Sequence, residues 1–159
     1  MNEAKKENSH AAYWRHRAEL TDKLIKSLHE VGPEAARPYA EELAELLGEE
    51  TLTSRVVWCD IWEARGRLDK AIELGERNIE ECLSALEERA SRVSDASALR
   101  EDIEDLLDAH YFQAKRFLDM GIPGAAKTTM AEARELSSRY RVPFDDTLQD
   151  LFNELGEEE

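Results

Sequence analysis

The chain has 159 residues, with 21 Lys and Arg against 36 Asp and Glu, and so a net charge of −15. Such a field repels phosphate backbones and anionic membranes, which argues against nucleic acid or lipid as a direct partner. Hydrophobic residues at 42% beside charged ones at 36% suit amphipathic helices with wide wet faces.

Few Gly and Pro with abundant Ala, Leu, Glu and Arg favour helix throughout, and no alternating β-branched run marks a strand. The opening MNEAKKENSH lacks the apolar core of a secretory leader, and no apolar run approaches the ~20 residues of a membrane span. A cytoplasmic, reducing setting is the expectation, with Cys59 and Cys82 as free thiols. The charge is uneven. Residues 1–48 carry 7 − 9 = −2, and residues 49–159 carry 14 − 27 = −13.

In chain order, residues 1–9 read as a disordered start, with Ser9 as a cap for the first helix. That helix is predicted over about 10–31, turning Tyr13, Ala18, Leu20, Leu24, Ile25, Leu28 and Val31 inward. Gly32-Pro33 ends it. A second helix over 34–47 must keep Pro38 in its first turn, buries Tyr39, Leu43, Leu46 and Leu47, and stops at Gly48. A third, capped by Thr51 or Thr53, carries Val57, Trp58, Ile61 and Trp62.

After Gly66 a long fourth helix, 68–92, places Leu68, Ile72, Gly75, Ile79, Cys82, Leu86, Ala90 and Val93 on a near-heptad seam. Ser94 or Asp95 caps a fifth, 96–120, whose Leu99, Ile103, Leu106, His110, Ala114 and Phe117 answer that seam. The two should form an antiparallel hairpin about 35 Å long at ~1.5 Å per residue. Cys59 and Cys82, on opposite arms of the hairpin around Gly66, sit at heights that do not meet.

Gly121 to Gly124 breaks the chain before a sixth helix, 123–140, with Ala126, Met130, Ala133 and Leu136 inward. A last short helix, about 144–155, turns Phe144, Leu148, Leu151, Phe152 and Leu155 inward. The expected fold is all-α: an antiparallel helix-hairpin stack of about seven helices with an elongated central hairpin. It forms one domain over 10–155, followed by an acidic tail at 156–159.

Two segments repeat a pattern. Cys59, Trp62, Gly66 and Ala71 are matched, each 55 residues on, by Ala114, Phe117, Gly121 and Ala126. Small residues on facing helices permit close axis approach, an aromatic fills the space beside them, and Gly permits the reversal. With these residues, and with GRLDKAIELGE, segments 52–85 and 107–140 resemble the tetratricopeptide repeat family, over less than half of the chain.

The departures are specific. Cys59 and Ala114 replace the family's mid-helix Gly, Asn78 stands for Ala and Gly75 for a bulky residue, and the closing Pro is absent. The two breaks lie 121 − 66 = 55 residues apart, against a family repeat of about 34. The two central helices are thus lengthened, as in divergent, bacterial-looking members. The resemblance implies a short α-solenoid whose first helices build a concave face for a peptide or partner helix. Carried over by offset, that face holds Val56, Asp60 and Glu63, then Asp108, Tyr111, Lys115 and Asp119.

Acidic groups flanking an aromatic suit a basic or amphipathic partner; the plainer reading is a set of solvated helix faces. Trp58 and Trp62 fit either a recognition ledge or a core. Trp14, beside Arg15-His16-Arg17, is expected to be partly exposed. The histidines show no metal-binding spacing, and the acidic run Glu101, Glu104, Asp105 and Asp108 reads as a solvated face rather than a cation site.

His110 raises the thought of a phosphoryl acceptor, but the YFQAK after it lacks the Lys-Gly pair of such helices. No Ser or Cys has a nucleophile elbow. The expectation is therefore a non-enzymatic interaction module without cofactor or metal, able to self-associate. A phosphorelay-type helical subunit and an acidic decoy for a basic surface are the alternatives.

Overall fold

The computed structural model describes residues 3–48, 51 and 54–157, and the side chains of these except 3–9, 96 and 157. They form seven α-helices: α1 (Glu3–Glu30), α2 (Pro33–Leu47), α3 (Arg55–Ala64), α4 (Leu68–Arg92), α5 (Arg100–Asp119), α6 (Pro123–Tyr140) and α7 (Asp146–Glu157). A 3₁₀ turn at Ala96–Leu99 precedes α5, and no strand occurs among the described residues. The all-α helical stack expected from periodicity is what the chain adopts. The helices gather into two compact units, Met1–Ala71 and Ile72–Glu159.

In the first unit α1, α2 and α3 pack on one another. Leu20, Leu24 and Leu28 recur one turn apart and are buried with Ala36, Ala40 and Leu43 of α2 and with Trp58, Cys59 and Ile61 of α3. The alanines of α2 let helix axes approach closely.

Four expectations change here. α1 begins at Glu3, so residues 3–9 are helical and Ser9 is no cap; Glu, Ala and Lys in that stretch are strong helix formers. Val31, expected inside, is 77% exposed because α1 ends at Glu30 and leaves it in the turn. Pro38 lies inside α2 rather than in its first turn, since Pro33 already occupies the helix start. Its missing N–H would have served the Glu34 carbonyl, and both residues face solvent, where water can take that bond. Ser54 stands at the N-cap of α3, displacing Thr51, while Thr53 lies outside the described residues.

In the second unit α4 and α5 run antiparallel, with Arg89 paired to Asp102 towards one end and Gly75 against Gln113 towards the other. Asp95 caps the 3₁₀ turn, accepting from the Ser97 N–H at 3.0 Å. The core joins Ile79 and Leu86 of α4 to Ile103, Leu106 and Leu107 of α5, Met130 and Leu136 of α6, and Leu148, Leu151 and Leu155 of α7. Cys82, expected on the seam, is exposed. Leu83, one position on, packs against the core in its place, since the larger aliphatic chain gains more from burial.

Gly75 is where α4 meets α5 most tightly. A Cβ there would stand 2.2 Å from Gln113 Oε1 and 2.9 Å from its Cδ. The Gln113 side chain is fully buried, and its Nε2 donates to the Ile72 carbonyl (2.8 Å) and to Glu76 Oε1 (3.0 Å). Those two acceptors fix the amide orientation and aim Oε1 at the glycine.

Both glycine breaks have the same local form. Gly66 and Gly121 take φ of 79° and 77°. Beyond each, an N–H reaches back five residues, Arg67 to the Trp62 carbonyl and Ile122 to the Phe117 carbonyl, both at 2.9 Å. This is the Schellman pattern, which needs a left-handed residue and so favours glycine. At the end of α6 that left-handed position is held by Arg141, with φ 57°. There Val142 N–H donates to the Ser137 carbonyl at 3.0 Å and Ser137 Oγ returns a bond to the Val142 carbonyl at 2.5 Å.

Two substitutions test these joints, both read by circular dichroism during urea or thermal unfolding. Gly75→Ala gains up to about 1 kcal/mol of helix propensity but forces a buried amide to move. It should destabilise by a net ~1–2 kcal/mol, since overpacking costs about 1–3 kcal/mol. In a Gln113→Ala background the same change should be neutral or stabilising, and a double-mutant cycle measures the coupling. Arg141→Gly relieves a left-handed strain of roughly 1–2 kcal/mol and should stabilise by about 0.5–1 kcal/mol after glycine's entropic cost.

Candidate functional site

The seven residues carried over by offset fall into two groups. Val56, Asp60 and Glu63 lie on α3 in the first unit; Asp108, Tyr111, Lys115 and Asp119 lie on α5 in the second. On α3 only Val56 is well exposed, at 58%. Asp60, expected to face a partner, is buried. The reason is that α1 and α2 both pack on this short helix, so its buried residues Trp58, Cys59, Asp60, Ile61 and Ala64 cover more than one face. Glu63 is half-buried.

The tryptophan ledge is largely taken up by the chain itself. Trp58 is buried and Trp62 half-buried, their rings 6.1 Å apart. Arg65 lies over Trp62 at 4.9 Å and Lys70 over it at 4.4 Å, cation–π contacts that occupy the ring faces. A two-pronged ion pair from Arg65 to Glu41, at 2.7 and 3.0 Å, holds that guanidinium in place. The Arg65 hydrogen bond keeps the Glu41 carboxyl below its ordinary pKa. Trp14 is half exposed, as its neighbours suggested, with Arg17 over its ring at 4.8 Å and its indole N–H donating to His10 Nε2 at 3.0 Å.

On α5 the spacing of three and four residues from Asp108 through Tyr111 and Lys115 to Asp119 makes one strip. Asp108, Lys115 and Asp119 are exposed, and Tyr111 is partly buried against the core. At Asp108 the strip opens into a cleft of about 320 Å³. Leu107 and Leu148 give it an apolar floor, Pro143 a rigid wall, and Glu104, Asp108 and Asp145 surround it with carboxylates. Arg100 supplies the cation of the cleft and pairs with Glu104 at 2.8 Å. Asp145 Oδ1 accepts the Leu148 N–H at 2.9 Å, which caps α7 and anchors that wall.

The electrostatics of the strip are unfavourable in the free chain. Partial burial, then the charges of Asp145, Asp105 and Glu104, raise the Asp108 pKa above its ordinary value. Asp105 is raised in the same way by burial and then by Glu101, Asp102 and Glu104. A cation placed here would gain from all of these groups at once.

Sequence places Leu148 in the core of the last helix and assigns neither it, Pro143 nor Asp145 to a site. In sequence Val142-Pro143 marks only the opening of the last helix, and which helix that turn lies against is a tertiary fact. His110 is buried, 3% exposed, with Nδ1 2.7 Å from the Leu106 carbonyl. Among the described residues no cluster of His, Cys, Asp and Glu is arranged to hold a metal ion, and none of their helices is long and apolar enough to cross a membrane. No protein-family model, curated protein or solved structure matches the chain.

The raised pKa of Asp108 fixes a sign. The folded chain holds this proton more tightly than the unfolded one, so its contribution favours folding below the ordinary aspartate value. That contribution is lost as pH rises through the folded pKa, leaving a charge that opposes folding at neutral pH. Asp108→Asn should therefore stabilise at neutral pH, by less than about 1 kcal/mol once solvent screening is counted. The advantage should vanish near pH ~2.5, well below the ordinary aspartate value, where the carboxyl is protonated in the folded and unfolded chain alike. Thermal melts of both proteins at the two pH values check this.

Proposed function

We propose that this chain is a non-enzymatic protein-interaction module, an adaptor or scaffold of the cytoplasm. Its second unit takes a basic or amphipathic segment of another protein along the α5 strip. The observation that carries the reading is the cleft at Asp108, where an apolar floor is ringed by three carboxylates, of which Arg100 pairs with Glu104 and leaves Asp108 and Asp145 repelling one another. A lysine or arginine fits such a place, its methylenes on Leu107 and Leu148 and its head among Asp108 and Asp145.

The charge balance of the two units supports the assignment. Residues 72–159 carry 10 − 22 = −12, whereas residues 1–71 carry 11 − 14 = −3. Field and cleft therefore belong to the same unit, and the field steers a basic partner towards it. The shared geometry of the Gly66 and Gly121 breaks supports a divergent tetratricopeptide-like ancestry, in which the first helix of a repeat offers the binding surface. A second copy of the chain is a poorer occupant of the strip, because it brings the same sign of charge.

The test uses a labelled helical peptide of alternating lysine and leucine pairs, followed by fluorescence anisotropy. Combined Asp105→Asn, Asp108→Asn and Asp145→Asn substitutions should weaken binding about tenfold, ~1.4 kcal/mol. Removing the same charge at exposed Glu73, Glu80 and Glu154 should weaken it far less. Equal losses from the two triple variants would leave only an acidic surface of general attraction and sink the reading.

A further inference from the structure

A second cavity in the Ile72–Glu159 unit, of about 160 Å³, lies between α4 and α6 with His110 of α5 in its lining. We infer that it is a socket for one lysine or arginine side chain of a partner protein, received by the free nitrogen of His110. This site is separate from the Asp108 cleft, shares no residue with it, and stands or falls on its own measurement.

His110 is the starting point. The residue is only 3% exposed, and Nδ1 lies 2.7 Å from the Leu106 carbonyl. A carbonyl oxygen only accepts, so Nδ1 carries the hydrogen of that bond. In the neutral ring Nε2 is then a lone-pair acceptor. Nε2 makes no hydrogen bond among the described residues, yet it is not among their fully enclosed unpartnered atoms. His110 is among the residues that line the cavity, and with Nδ1 turned back onto the α5 backbone the edge left for a ligand is the one that carries Nε2.

The rest of the lining selects the donor. Ile79, Leu83 and Leu136 are apolar, suited to the methylene stem of a long side chain. Glu87, Glu132 and Glu135 stand at the rim, exposed to solvent, with Arg139 as the one cation of the lining. Arg139 approaches Glu87 no closer than 3.9 Å, both groups being more than half exposed, so it neutralises the rim weakly. Three carboxylates against one guanidinium leave a net 1 − 3 = −2.

A carboxylate or phosphate is repelled by that rim, and a plain hydrocarbon leaves Nε2 without a donor. An ammonium or guanidinium on an aliphatic stem satisfies floor, ring and rim together. Size points the same way: small-molecule and cofactor sites run to about 300–1,000 Å³, so 160 Å³ is room for one side chain.

The test titrates the full chain, labelled at histidine nitrogen and at Ile and Leu methyls, with n-butylguanidinium, n-butylammonium and n-butanol, followed by NMR. Either cation should move the His110 Nε2 resonance and the Ile79, Leu83 and Leu136 methyls saturably in the millimolar range. The neutral alcohol should leave Nε2 where it was. A Glu132→Gln, Glu135→Gln variant, altered only at exposed positions, should bind at least about threefold more weakly at this cavity, whereas Glu154→Gln, exposed and outside both cavities, should bind as wild type. An Nε2 signal indifferent to both cations, or a response that the double glutamine variant leaves unchanged, overturns the proposal. Shifts confined to the α5 strip overturn it too, while leaving the Asp108 cleft standing.

Discussion

The arrangement of the second unit depends on how closely a glutamine amide is allowed to approach a helix backbone. Gln113 is wholly buried, donates two hydrogen bonds into α4 and presses its oxygen onto Gly75. Any side chain at position 75 would displace that amide. The register of α4 against α5 is therefore set at one point by a steric absence, and along the rest of the helices by leucine and isoleucine. The orphaned Gln113 oxygen carries a desolvation cost. The two donated bonds and the tight contact offset it, and they specify one pairing of the helices among the many that an apolar seam alone would permit.

Charge is distributed with a different logic in the two halves. In the first unit the cations are spent internally: Arg65 and Lys70 cover Trp62, Arg65 is pinned by Glu41, and Arg17 covers Trp14. In the second unit carboxylates crowd α5 in excess of the cations beside them, and at Asp105 and Asp108 partial burial, reinforced by that crowding, raises their pKa values. Mutual repulsion on a folded surface is a standing cost that a partner can remove. That asymmetry distinguishes the two units: in one, cations cover the indole rings, and in the other carboxylates outnumber the cations beside them.

Much of the architecture was written in periodicity and in glycine. The bounds of α4 and α6 follow from apolar spacing between Gly66, Gly121 and the turns beyond, because a left-handed residue and a missing side chain leave marks that sequence reveals. What sequence did not reveal were facts of tertiary contact. Asp60 reads as a surface carboxylate until two helices close over the same short rod. Cys82 and Leu83 are adjacent, and which of them turns inward is decided by the helix opposite. Of the seven residues expected to face a partner, Asp108 opens a cleft only because the turn at Pro143 and Asp145 comes to lie beside it, and nothing local to α5 signals that.

The placement of the aromatic rings has an optical consequence. Trp14, Trp58 and Trp62 all belong to Met1–Ala71, and every phenylalanine of the chain, Phe112, Phe117, Phe144 and Phe152, belongs to Ile72–Glu159. Excitation at the red edge of the protein band thus selects indoles that all belong to the first unit. A mismatch between indole emission and helical ellipticity on heating would report the separate melting of the halves, with no label added to the chain.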